Sequence, residues 1–368
     1  MDKLSIAWRN HPHAFPFEGR SCIYCVCIKV VEYFRVKPRW LMVKICDEAG
    51  GYGWGEATLE GHDLAVEGAL DEMINIENIW QMFWRHGLYR GGPVFMSALS
   101  GIVIALWDLK GPTLGVPVYE LVGGQVRHKV QVYAWIGGDR PKDIGVAAKA
   151  RIAQGLKCVK MNDTEDATVE RLKTVKALGL DAGLDFHGRL HKPRAKQLAK
   201  ALEPYKPLSI EEPLVCEHPE AIKQLSDQTT IPIAFGERLY AREDIKRFLE
   251  DASVDILQPD IAHAGEICET KKIANMAEAY DVALSTANFS ILEMSLGMHY
   301  NTEAGDIDLL TYLKDQSVFD IEDGYVKAPT GPGLGIEIDE ELVRNIAAET
   351  TPWQCKEFFG AGGGIREW

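Results

Sequence analysis

Four acidic residues recur at nearly even steps through the middle of the sequence: Asp185, Glu211, Glu237 and Asp260, spaced 26, 26 and 23 residues apart. Each closes a short apolar run, AGLDF, LSIEEP, PIAFGE and VDILQPD in turn. Carboxylates brought to one place repel, so a site that Asp185, Glu211 and Glu237 share demands a cation. All-oxygen donors with room for water and a substrate suit octahedral Mg2+. Each acid could instead cap the helix that follows it. That reading covers one acid easily; three in register inside apolar strands are better explained as ligands of one ion.

Other residues near these acids carry chemistry of their own. His187 lies two residues beyond Asp185, which puts it on the same strand face by alternation and within reach of a bound substrate. Glu212, next to Glu211, points the other way and is expected to support the site or start a helix. Lys160 ends an earlier apolar run, where it could meet a substrate carboxylate or pair with a ligand. Asn162, two residues on, cannot act as a base and is expected to contact the substrate. His263 follows QPD at 258–260 and reads as a loop residue facing solvent or, less directly, a substrate contact.

The elements that must hold these residues follow from periodicity. Between 132 and 285, seven short apolar runs (VYAWI, LKCVKM, AGLDF, LSIEEP, PIAFGE, VDILQPD, DVALS) alternate with helical stretches such as AKQLAKALEPY. Parallel strands need such crossovers, and this many repeats in so short a span indicate an α/β fold of the (β/α) barrel type. Chemistry then sits at the C-terminal strand ends, where these acids fall. A dinucleotide-binding sheet would need G-x-G-x-x-G after its first strand, and none is there. Before the barrel, KVVEYFRV, WLMVKI and the Gly-rich GGYGWGE read as a small antiparallel sheet with a glycine turn, followed by helices from Leu64 to Leu121. The division expected is an irregular extension over 1–28, an α+β module over 29–130 joined by the tail 319–368, and the barrel over 131–318.

Composition excludes several partners. A net charge of -14 leaves nothing to neutralise a run of phosphates, so nucleic acid is not expected. The apolar runs read as too short for a membrane span. Eight scattered cysteines, with Cys22-x-x-Cys25 lacking a second pair at zinc spacing, fit a reducing, cytoplasmic compartment. Residues 1–28 lack the basic start and cleavage site of a secretory signal.

An ordered set of segments resembles the mandelate racemase subgroup of the enolase superfamily, and within it the galactonate dehydratases. The set includes RVKPRWLMVKI (35–45), GWGEATLEG (53–61), YRGGPVFMSALSGI (89–102), ALWDLKG (105–111) and GVPVYELVGG (115–124). It continues with WIGGDRP (135–141), DFHGRLHKP (185–193), IEEP (210–213), GERLY (236–240), QPDIAHAG (258–265), SLGMHYN (295–301) and GPGLGIEI (331–338). The resemblance implies an enolase-type barrel with an α+β capping domain, Mg2+ on Asp185, Glu211 and Glu237, and a sugar acid as substrate. It implies dehydration to a 2-keto-3-deoxy acid through an enediolate, in a homo-oligomer. His187 matches the acid that protonates the departing 3-hydroxyl, Asp260 the aspartate that orients a base histidine, and Glu293 the acid ending the eighth strand. Arg39 and Trp40 match a loop that closes over the sugar chain.

The sequence departs from that pattern in one place above all. The base histidine expected after the seventh strand is absent, because DVALS (281–285) runs through Thr286 and Ala287 directly into NFSILEM (288–294). Two residues cannot provide a parallel crossover. The linker before NIENIW (75–80) and the stretch after MNDTED (161–166) are also short. These departures imply a truncated seventh βα unit, and either a catalytically impaired homologue or a dehydratase from which segments have been lost.

Overall fold

The structure, a computed structural model, describes residues 6–7, 28–37, 39–59, 61–70, 84–85, 90–136, 144–162, 167–285, 309–354, 359 and 362–365. Glu293 and the shortened stretches at 71–80, 163–166 and 286–294 lie outside them.

The first module is an antiparallel sheet in the order β1 (Ile6–Ala7), β2 (Ile28–Val36), β3 (Trp40–Asp47) and β4 (Tyr52–Glu56). Helix α2 (Pro93–Leu114) packs on it, and helix α1 (Asp63–Leu70) packs against α2. Gly50 makes the expected turn with φ +90°, but Gly53 and Gly55 do something else. A Cβ on Gly53 would lie 2.1 Å from Ala105 O, and one on Gly55 2.1 Å from Gly101 O. Glycine on one face of β4 therefore lets the α2 backbone lie directly against the strand.

Helix α2 corrects the expectation that no apolar stretch reaches membrane length. It has 22 residues and is apolar enough to cross a bilayer, yet 78% of its most apolar window is buried inside the protein. Met96, Leu99, Ile102, Val103 and Leu106 fill the core between α2 and the sheet, which accounts for the apolarity.

A short helix α3 (Val118–Leu121) and strand β5 (Lys129–Gln131) lead into the barrel. Seven parallel strands follow in sequence order: β6 (Ala134–Ile136), β7 (Cys158–Asn162), β8 (Asp181–Asp185), β9 (Ser209–Glu211), β10 (Ile233–Phe235), β11 (Ile256–Leu257) and β12 (Ala283–Leu284). The crossovers are α4 (Ile144–Ala153), α5 (Thr168–Ala177), α6 (Lys192–Leu202), α7 (Pro219–Ser226), α8 (Arg242–Glu250) and α9 (Glu266–Ala279). This is the curled parallel sheet of a (β/α) barrel. Both residues of β12 are at least partly exposed, and no eighth strand is present among the described residues.

The tail returns to the first module. Strand β13 (Tyr325–Lys327) pairs with β5, and helix α10 (Glu340–Glu349) packs on β2, with Lys44 bonded to Glu340 at 2.6 Å. Arg344 spans the same contact by bonding Glu32 at 2.8 Å.

Candidate active site

Register places the acids before any side chain is considered. Asn162 on β7 is level with Asp185 on β8, which is level with Glu211 on β9. Glu237 follows β10 after Gly236, where a Cβ would sit 2.3 Å from the Gln258 carbonyl carbon. Glycine there lets the backbone leaving β11 pass close beside the end of β10.

The carboxylates converge on Lys160. Its Nζ lies 2.9 Å from Glu211 Oε1, 3.0 Å from Asp185 Oδ2 and 3.9 Å from Glu237 Oε2. Burial works to lower the Lys160 pKa, but the charges of Asp185, Glu211 and Glu237 outweigh it and hold the ammonium well above its ordinary value. His187 Nε2 lies 3.0 Å from the same Asp185 oxygen. Asp185, His187 and Glu237 each offer a ligand atom, and all three atoms lie within 4.8 Å of one another. Oxygen donors that converge on one positive charge fit a hard divalent cation such as Mg2+.

His187 reaches this cluster by a route that strand alternation does not provide. Its φ is +47°, so the chain has left β8 and turned. The Asp185 carboxylate accepts from the His187 backbone N at 3.1 Å and holds that turn. Burial would lower the His187 pKa, but the Asp185 charge and hydrogen bond raise it to about 9. Asp185 is held below the usual carboxylate range, because the His187 and Lys160 charges outweigh its burial. Glu211 is pushed the other way, to about 8, by burial and by the neighbouring Asp185 charge. Burial likewise takes Glu212 to about 7 against the opposing charge of Arg238.

These shifts predict how the metal-free protein responds to pH. Glu212, Glu211 and His187 all bind a proton more tightly folded than unfolded, so the stability they add is complete at low pH. It is lost as pH rises through about 7, 8 and 9 in turn. Thermal melts in chelator should fall by at least a few degrees between pH 6 and pH 9. Saturating Mg2+ should flatten that decline, since a cation favours the deprotonated carboxylates. A metal-free Tm that rises over this range would contradict the assignment of these shifts.

The remaining sequence candidates fall in three places. Asp260 is fully buried and its Oδ1 accepts from Ala262 N at 2.6 Å, which stitches the turn that leads into α9. His263 does not face solvent. It is 5% exposed, with Nδ1 3.0 Å from Ser97 Oγ on α2 and Nε2 3.9 Å from Asp260 Oδ2, so it joins the barrel to the first module. Its apolar neighbours Ile261, Ala262 and Ala264 were the available signal. Trp40 is also not a loop residue: it starts β3, is 2% exposed and packs edge-on against Tyr312 at 6.2 Å. Arg39 lies over the Trp353 ring at 5.4 Å. Both residues thus tie the β2–β3 hairpin to the tail, with Tyr312 Oη donating to Lys37 O at 2.7 Å.

A cavity of about 690 Å3 runs from Lys160 and Glu211 into the barrel, past Tyr133, Ser209 and Gln258 to Val132 and Ala283. Closed barrels fill this space with layers of side chains.

Known proteins place the fold in a family. Residues 28–123 match the mandelate racemase / muconate lactonizing enzyme N-terminal domain, and residues 143–342 match the enolase C-terminal domain-like family. The D-galactonate dehydratase of Ralstonia pickettii is 43% identical over 377 residues, covering 91% of this chain and 98% of that protein. The D-galactonate dehydratase of Pectobacterium atrosepticum is 40% identical, covering 93% of this chain and 100% of that protein. An alignment of 377 positions that uses 91% of 368 residues leaves a few dozen positions of the Ralstonia protein with no counterpart here. Among solved structures, an enolase from Agrobacterium radiobacter with bound Na and L-malate superposes with a TM-score of 0.81 at 25% identity, covering 93% of this chain and 100% of that one. The 3,6-anhydro-D-galactonate cycloisomerase of Zobellia galactanivorans gives 0.75 at 26% identity, covering 87% and 99%. With both domains matched and their strand-end acids converging in space, the chain belongs to the enolase superfamily, in its mandelate racemase / muconate lactonizing enzyme branch.

Proposed function

We propose that this chain is a hydro-lyase that dehydrates a galactonate-like sugar acid to a 2-keto-3-deoxy acid through an enediolate, with Mg2+ held by Asp185, Glu211 and Glu237. The observation that carries this reading is the convergence of those three carboxylates on one ammonium beside a histidine. Relatives named D-galactonate dehydratase, at 40–43% identity over nearly their whole length, supply the substrate class.

The division of labour follows from the site. A bound divalent cation supplies the positive charge that offsets the charge developing next to the substrate carboxylate. His187, whose pKa the neighbouring Asp185 raises to about 9 in the metal-free protein, supplies the proton for the departing 3-hydroxyl. Asp185 keeps that imidazole charged and aimed. The reaction removes one hydrogen from the carbon next to the carboxylate and one hydroxide from the next carbon, which leave as water. The enol left behind tautomerises to the keto acid.

One observation favours a second reading, an impaired homologue that retains the ion but not turnover. The sequence has no histidine between His263 and His299 that Asp260 could orient from beyond β12. No base therefore faces His187 from the described part of β12.

Purified protein with Mg2+ and a panel of hexonates, assayed for 2-keto-3-deoxy product, separates the two. Product from a galactonate-type acid supports dehydration, and magnesium binding without product supports the impaired homologue. In either case Glu237→Gln is expected to weaken Mg2+ binding at least tenfold by calorimetry while the protein stays folded. Unchanged affinity would remove Glu237 from the ligand set.

A further inference from the structure

Three residues stand immediately after three members of the site: Gly188 after His187, Glu212 after Glu211, and Arg238 after Glu237. They come from three different strand ends and they interlock. Arg238 Nε donates to Glu212 Oε2 at 2.6 Å. Gly188 N donates to Glu212 O at 2.7 Å. Arg238 also lies over Gly188 so closely that a Cβ there would sit 2.9 Å from Arg238 Nη2 and 2.7 Å from Val215 Cγ1.

We propose that Glu212, Arg238 and Gly188 form a positioning clamp that sets the spacing of the three carboxylates and the aim of His187. The proposal rests on the reading that those carboxylates hold a divalent cation. None of the three clamp residues is offered as a catalytic residue; each acts through the neighbour that precedes it.

The local structure favours this over an incidental ion pair. The Glu212 side chain is 1% exposed, and burying a carboxylate for one arginine contact is a poor route to stability. Its Oε1 has no hydrogen-bond partner among the described residues, so the pair is not part of a larger satisfied network. Glu212 also has φ +39°, a left-handed conformation that disfavours a residue with a Cβ. Its backbone N donates to Ala234 O at 3.0 Å, so the strained residue bridges β9 to β10 while its own carbonyl holds the turn after β8. Strain of this kind persists only where the surroundings enforce it. Here it fixes the direction in which the chain leaves β9 just beyond Glu211. Gly188, with φ +75° and no Cβ, leaves room for the Arg238 guanidinium that a side chain there would fill.

The test uses the full chain, with Mn2+ as probe and hydrogen–deuterium exchange at the Gly188 amide. Arg238→Ala and Glu212→Ala should each raise the Mn2+ dissociation constant tenfold or more, the usual size for residues that orient ligands. The double variant should be no worse than the poorer single, because both remove one device. Gly188 exchange should speed up in metal-free protein in both variants. Tm should move little for Glu212→Ala, which leaves the partly exposed Arg238 behind, and should fall for Arg238→Ala, which strands the buried Glu212 carboxylate. Arg238→Lys should recover part of both losses, since an ammonium can pair with Glu212 but cannot lie flat over Gly188. Gly188 exchange unchanged in both single variants, or strictly additive losses of Mn2+ affinity, would overturn the clamp. If the parent chain binds no Mn2+, the metal reading fails alone and the exchange result still decides the clamp. If the alanine variants do not fold, Glu212→Gln and Arg238→Lys carry the same two measurements with smaller expected changes.

Discussion

Replacing Lys160 with methionine is expected to make the stability of this protein depend on a divalent cation. The Lys160 ammonium is the positive charge central to the three carboxylates, and its side chain is only 13% exposed. Asp185 is fully buried and the Glu211 side chain is 3% exposed, so neither can recover the loss by turning to water. Removing one partner from a buried ionic group leaves an uncompensated charge and costs on the order of 3–5 kcal/mol. Part of that is relieved by protonating Glu211, whose pKa already stands near 8 in the presence of Lys160 and would rise further without it. Lys160→Met should therefore melt several degrees below the parent in chelator, and the gap should widen as pH rises.

Added Mg2+ should close that gap. An ion that binds only the folded state stabilises it by about 2.7 kcal/mol at a hundredfold excess over its dissociation constant. The variant lacks a competing ammonium next to the same oxygens, so it should bind the ion at least as tightly as the parent. Melting curves of both proteins across a Mg2+ series give the comparison directly. If Lys160→Met melts with the parent in chelator, or gains no more from Mg2+ than the parent does, the ammonium is not the charge that holds the site together.

How much of this was legible in the sequence varies with the physics involved. The seven barrel strands were legible because each is a short apolar run between helical stretches, a pattern that survives without knowledge of contacts. Asp185 and Glu211 could be placed at strand ends for the same reason, and their common register follows. His187 was assigned to the right neighbourhood by strand alternation, but a left-handed turn takes it there. A histidine followed by Gly188 carried that signal, since glycine after a strand marks a turn. Trp40 was misplaced because the resemblance names positions and not burial, whereas Arg39 does lie in the turn between β2 and β3. Trp40 opens a strand whose first six residues are all buried, and WLMVKI already showed that character. The glycines in GYGWGE were read as a turn, although spacing of two inside a strand marks the close approach of another backbone. The Glu212–Arg238 contact could not be read at all, because nothing in sequence spacing says which of many charged residues will meet. Its only trace was position, one residue beyond a presumed ligand in each case.

Replacing His187 with asparagine should cut dehydration 100- to 10,000-fold, the range that a positioned general acid contributes. Asparagine keeps much of the shape and can accept or donate hydrogen bonds, but it offers no labile proton at neutral pH. The ion should still bind within a few-fold of the parent, because Glu211 and Glu237 are untouched and Asp185 loses only its cationic neighbour. The parent rate should fall on the alkaline side as His187 loses its proton. That limb should lie below pH 9, since a cation on Asp185 weakens the attraction that raises the histidine in the metal-free protein. The variant should lack the limb. A substrate analogue with fluorine in place of the 3-hydroxyl sharpens the test, because fluoride needs far less protonation to leave. His187→Asn should lose little with that analogue and nearly everything with the hydroxyl substrate. Equal losses on both would move the acid role elsewhere and leave His187 as a partner of Asp185 alone.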